Sequence, residues 1–145
     1  MLLHASLAPC ESPSGLAIDI KGKKLFSVCD NKLMVVTDIP TLKVVGTAPI
    51  GPGADGVGYD PGLGLAFSSN GGDGTFSIIK QMNGKYQNVD NVTTEKGART
   101  MTVDTKNHRV YLLAAEYGPA PEAQAGKRVR PPILPDSFNV LVVGR

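Results

Sequence analysis

The 145-residue sequence contains no tryptophan, four tyrosines, four phenylalanines, two histidines and two cysteines. Scattered aromatics and a net charge of only +2 leave no basic, aromatic-studded face, so nucleic acid is not an expected partner. No apolar run approaches eighteen residues, so no membrane span is expected. Residues 1–10, MLLHASLAPC, end in a cysteine but lack a basic start and an apolar run of leader length, so they are not read as a signal peptide. There is no G-x-S-x-G elbow, H-E-x-x-H pair, phosphate-binding loop or G-x-G-x-x-G turn, so neither catalytic residues nor a cofactor are assigned.

What the chain has in quantity is turn-formers. Seventeen glycines and eleven prolines punctuate short apolar runs, the mark of an all-β protein with tight connections. Three segments align: Ser14–Gly51, Asp55–Thr93, and Arg99–Gly118 resumed by SFNVLVVGR at the end. Asp19, Asp60 and Asp104 occupy equivalent places, 41 and 44 residues apart, and each leads a turn that an aspartate side chain can fix by accepting backbone N–H bonds. A period in the low forties with about four strands per unit predicts β-propeller blades. The fold class is therefore all-β, a partial β-propeller of about three four-stranded antiparallel blades.

In each unit, strand A is predicted at Gly15–Ile20, Gly56–Tyr59 and Thr100–Val103. Strand B follows at Lys24–Cys29, Leu63–Ser68 and Arg109–Ala115. Strand C lies at Lys32–Asp38, Thr75–Lys80 and Phe138–Val143, and strand D at Leu42–Thr47 and Tyr86–Val92. The domain reads as residues 1–145: an orphan strand at 2–8, blades at 14–51, 55–93 and 98–145, and a proline-rich insertion at 117–136 within the third. That blade lacks a strand D, and Leu2–Ala8 matches the place of a strand D from a preceding blade. Self-association through the unpaired blade edges, by exchange of that strand, is one expectation; a truncated ring is the other.

The segments APCESPSGLAID (8–19), DGVGYDPGLGLAFSSNGGDGT (55–75), KGARTMTVD (96–104), RPPILPDSFNVLVVGR (130–145) and the LKVVGTAPIG hairpin resemble the YVTN/YncE-like bacterial β-propeller repeats. The resemblance spans nearly the whole chain. It implies an exported, seven-bladed propeller, periplasmic or extracellular, of which this chain would be the C-terminal part. It implies no particular activity, protein partner or small-molecule ligand.

Cys10 and Cys29 fall on the same rim if strands A and B form a hairpin. A Cys10–Cys29 disulfide is the expectation, with free thiols or half a metal site as its alternatives; no metal site is assigned, because His4 and Cys10 do not have a zinc-ligand spacing. His108 is read as a solvent-facing turn residue, and Asn70-Gly-Gly-Asp-Gly-Thr as a B–C turn rather than a calcium loop. The candidate ligand-binding rim comprises Ser14, Asp55 and Arg99 at the starts of the innermost strands, with Asn31, Asn70 and Glu116 at the ends of strand B. Arg99 beside Asp55 could also form a structural ion pair. Lys127, Arg128 and Arg130 make the insertion locally basic, an exposed excursion or a docking arm. The functional expectation is a non-catalytic binding or interaction module. Its alternative is a metal-assisted, lactonase-like hydrolase using Asp55, Asn70 and Glu116, or an accessory to a redox enzyme.

Overall fold

The computed structural model describes residues 1–121 and 131–144. Eleven strands and no helix make up the described residues, in three antiparallel sheets. The first sheet runs β1 (Pro13–Asp19), β2 (Lys24–Cys29), β3 (Leu33–Asp38), β4 (Lys43–Pro49). The second runs β5 (Ala54–Asp60), β6 (Leu65–Asn70), β7 (Thr75–Met82), β8 (Lys85–Thr93). The third has β9 (Met101–Asp104), β10 (Arg109–Ala114) and β11 (Asn139–Val143), with β11 at its outer edge. Two four-stranded blades and one three-stranded blade follow the repeat read from the sequence.

Residues 2–8 form no strand and are largely exposed. A strand places its backbone N–H and C=O groups on a sheet edge, and residues 2–8 pair with no edge among the described residues.

The A–B turns show why the aspartates recur. Asp19 Oδ1 accepts the Gly22 N–H at 2.9 Å, Asp60 Oδ1 those of Gly62 and Leu63 at 2.8 and 3.2 Å, and Asp104 Oδ1 those of Lys106 and Asn107 at 3.0 and 3.1 Å. Four residues after each aspartate the chain turns left-handed, at Lys23 (φ 53°), Gly64 (φ 64°) and His108 (φ 55°). That turn delays β6 to Leu65, two residues later than its predicted start.

Blades pack face to face, and the cores lie between them. Phe26, Val28, Met34 and Val36 of the first blade meet Ala66 and Ile79 of the second. Phe26 stacks on Tyr59 at 5.0 Å and meets Tyr86 edge-on at 6.0 Å. Phe67 and Phe76, stacked at 5.4 Å, lead the second core against Val110, Leu112 and Ala114 of the third blade. Because the middle blade is covered on both faces, β6 over Leu65–Ser69 and β7 over Thr75–Ile79 are continuously apolar or small rather than alternating.

Candidate functional site

The rim is built by the close approach of the innermost strands β1, β5 and β9. A Cβ on Gly15 would strike the Asp55 carbonyl oxygen, and one on Gly56 the Arg99 carbonyl oxygen, so glycine at these equivalent places sets the blade spacing. Hydroxyls then stitch the strands together. Ser14 Oγ donates to the Ala54 carbonyl at 2.9 Å, and Ser69 Oγ to the Arg99 carbonyl.

Over this seam lies a shallow depression of about 230 Å³ lined by Leu16, Asp55, Val57, Arg99 and Met101 with the two glycines. Asp55 and Arg99, both exposed, present opposite charges from adjacent blades. Among the described residues the ion pairs are Lys24–Asp38 and His108–Asp60, so Asp55 and Arg99 do not neutralise one another directly. The Arg99 stem instead lies over Gly71.

The other rim candidates do not converge there. Asn70 is fully buried: its Oδ1 accepts from Ser68 Oγ at 2.8 Å, and its Nδ2 donates to Thr75 Oγ1 and Ser77 Oγ at 3.0 and 2.9 Å. Its amide therefore organises the interior of the second blade. Asn31 braces the N-terminal segment, donating to the Pro9 carbonyl at 2.7 Å and accepting the Glu11 N–H at 3.3 Å. Glu116 is exposed at the base of the insertion, where Tyr117 bridges Ile133 and Glu116 bonds Ser137 and Leu134 through its backbone. Lys127, Arg128 and Arg130 lie outside the described residues. Asp73 caps the B–C turn through the Thr75 N–H and hydroxyl, at 3.1 and 2.7 Å. Among the described residues no three His, Cys, Asp or Glu side chains gather as a metal site.

Cys10 and Cys29 are joined by a disulfide, Cα–Cα 5.5 Å, which pins the segment before β1 to β2.

Two arrangements were not visible in the sequence. First, His108 does not simply face solvent: its Nδ1 lies 2.7 Å from Oδ2 of Asp60, which is only 1% exposed. The aligned turns marked both residues, but their 48-residue separation hides a contact made only by blade stacking. A second turn-to-strand contact sits one blade earlier, where burial and then the Asp19 carboxylate push the Tyr59 phenol up to about 12. Second, a cavity of about 700 Å³ opens between the second and third blades, lined by Phe67, Phe76, Ile78, Val92, Val110 and Val143 among others. Its counterpart between the first two blades holds only about 250 Å³.

These blades, their shared axis-side seam and their interblade cores define a partial β-propeller. Solved propellers match it at low identity. Hydrazine synthase of Kuenenia stuttgartiensis aligns with 76% of this chain and 31% of its own, at TM-score 0.66 and 13% identity. Sqt1 of Saccharomyces cerevisiae aligns with 72% and 29%, at 0.62 and 10%. A luciferin-regenerating enzyme aligns with 72% and 38%, at 0.51 and 15%. Such identities carry the fold alone, and the chain spans well under half of each of these proteins. No family model and no curated protein matches the sequence.

Proposed function

We propose that this chain serves as the non-catalytic propeller binding module of an exported protein of the YVTN/YncE-like kind, recognising its ligand at the axial rim. The observation that carries the reading is the depression over the inner strands, where Asp55 and Arg99 stand exposed without pairing to each other. A ligand bearing both signs of charge would satisfy them together. The Cys10–Cys29 bridge supports an oxidising compartment, periplasmic or extracellular. The lactonase-like alternative loses its central ligand, because the Asn70 amide is fully engaged inside the blade.

Fluorescence polarisation against an array of short peptides with adjacent lysine and glutamate tests the reading. Micromolar binding that falls at least tenfold in both Asp55→Ala and Arg99→Ala is the expected result. Binding indifferent to both substitutions would move the site elsewhere. Stoichiometric divalent metal by elemental analysis, with lactone hydrolysis lost in Asp55→Ala, would replace the module by the hydrolase.

A further inference from the structure

The structure contains one interface built twice and a third left unfinished. Each blade turns one face toward the next. Phe26, Met34 and Val36 of the first blade and Phe67 and Phe76 of the second are buried there, with Ile78 half-buried beside them. The same places in the third blade are Tyr111, Val140 and Val142, and the two valines are 57% and 55% exposed. At the other end, Leu16 and Ile18 of β1 occupy the places of Val57 and Tyr59, which pack in the first core, yet are 65% and 51% exposed. The chain thus carries both halves of its own interblade contact, one at each end.

Among the described residues the third blade also lacks an outer strand. A groove of about 490 Å³ runs beside β11, between Leu141–Gly144 and the end of β8. The two interblade cavities correspond position by position: Phe26 to Phe67, Gly64 to His108, Ala66 to Val110, Ile79 to Val143. The smaller is lined by Tyr86 of β8, and the larger has no counterpart to that ring.

The missing strand has a match within the chain. Ser6-Leu7-Ala8-Pro9 precedes the first blade as Gly46-Thr47-Ala48-Pro49 precedes the second. Pro49 pairs with Leu33 and Ala48 with Met34, a bulge follows, and Lys43 ends opposite Asp38. Transferred to β11, this register sets Ala8 opposite Val140, Leu7 opposite Leu141, Ser6 opposite Val142 and Leu3 opposite Gly144. In the second blade Gln87 pairs with Lys80, the equivalent of Gly144, and Tyr86 comes one residue earlier. Leu2, one residue before Leu3, therefore takes the place of Tyr86 and enters the apolar cavity. In this structure Leu2 and Leu3 are 80% and 63% exposed.

We infer that two copies of this chain close a six-bladed ring. Residues 2–8 of each copy form the fourth strand of the other's third blade, and Leu16 and Ile18 of one cover Val140 and Val142 of the other. A single arrangement then covers both apolar faces, pairs the open edge of β11 and fills the larger cavity. The disulfide and the Asn31 hydrogen bonds fix where residues 2–8 leave the first blade.

The experiment is light scattering on the whole chain at tens of micromolar. A mass twice the 15.2 kDa of one chain is expected. Leu2→Asp should weaken the dimer at least tenfold, and deletion of residues 2–6 should leave a monomer. Both changes fall on exposed residues outside any strand, so each protomer keeps its blades. Mixing Ser6→Cys with Val142→Cys chains under oxidation should give a covalent dimer. A monomeric native chain overturns the proposal, as does an open-ended polymer. A dimer unaffected by the deletion overturns strand exchange and assigns association to the blade faces alone.

Discussion

Side chains at the blade seams carry more of this fold than their turn positions suggest. Asp60 is buried, yet each carboxylate oxygen has a donor or partner: two turn N–H groups on one, His108 on the other. Asp60→Ala strands both N–H groups and should cost about 3 kcal/mol, whereas Asp60→Asn, which keeps one acceptor, should cost about 1 kcal/mol in urea unfolding. At His108 the left-handed backbone adds a second requirement, so His108→Asn should be milder than His108→Val. Tyr59 gives a pH dependence at the alkaline end. An acid whose pKa rises on folding is held in its neutral form by the native state. Its contribution is intact below the usual phenol value near 10 and is lost as pH climbs through about 12. Absorbance of phenolate should therefore show one tyrosine ionising near 12, and Tyr59→Phe should flatten the fall in stability above pH 10. At the acid end the Thr41 hydroxyl and then Lys24 hold the Asp38 carboxyl below its ordinary value, a contribution present above that range and lost as pH falls.

At the scale of the strands, spacing between blades is decided by glycine rather than by large side chains. Gly56 lies where a Cβ would meet the Arg99 carbonyl and Ser69 Oγ, neither of which can move without opening the β5–β9 seam. Gly64 has nothing within 4 Å of a Cβ and needs only its left-handed φ. Gly56→Ala should thus destabilise by about 3 kcal/mol through overpacking. Gly64→Ala should cost about 1 kcal/mol through backbone strain alone. Thermal unfolding of the two variants side by side checks the ranking. Position 100, equivalent to Gly56, is threonine, and no further blade packs against it among the described residues.

For the whole molecule, stability is shared between neighbours, as in any stack of repeats whose units contact only adjacent units. The middle blade contributes to both cores, while the first and third each contribute to one. Hydrogen exchange on the chain lacking residues 2–6 should show β6 and β7 amides exchanging last, with β11 and β1 first. Equal protection across all three blades would mean the blades unfold as one unit.

The period of the aspartates, the turn-formers and the apolar runs were enough to place three blades and nearly every strand, because those signals are local. A turn aspartate bonds N–H groups two or three residues away, and a strand's apolar face is written in consecutive residues. The rim was legible only in part. Ser14, Asp55 and Arg99 lie where the repeat puts them, but Asn70 resembles a rim ligand in sequence and is turned inward by Ser68, Thr75 and Ser77. The Asp60–His108 contact and the cavity beside Phe67 and Phe76 depend on how blades stack, so no spacing within one repeat could reveal them. The orphan segment at residues 2–8 shows the division most clearly. Sequence marked it as a strand by its place before the first blade, where a preceding blade's strand D would lie, while tertiary structure decides whether it becomes one, since a strand exists only where an edge accepts its hydrogen bonds.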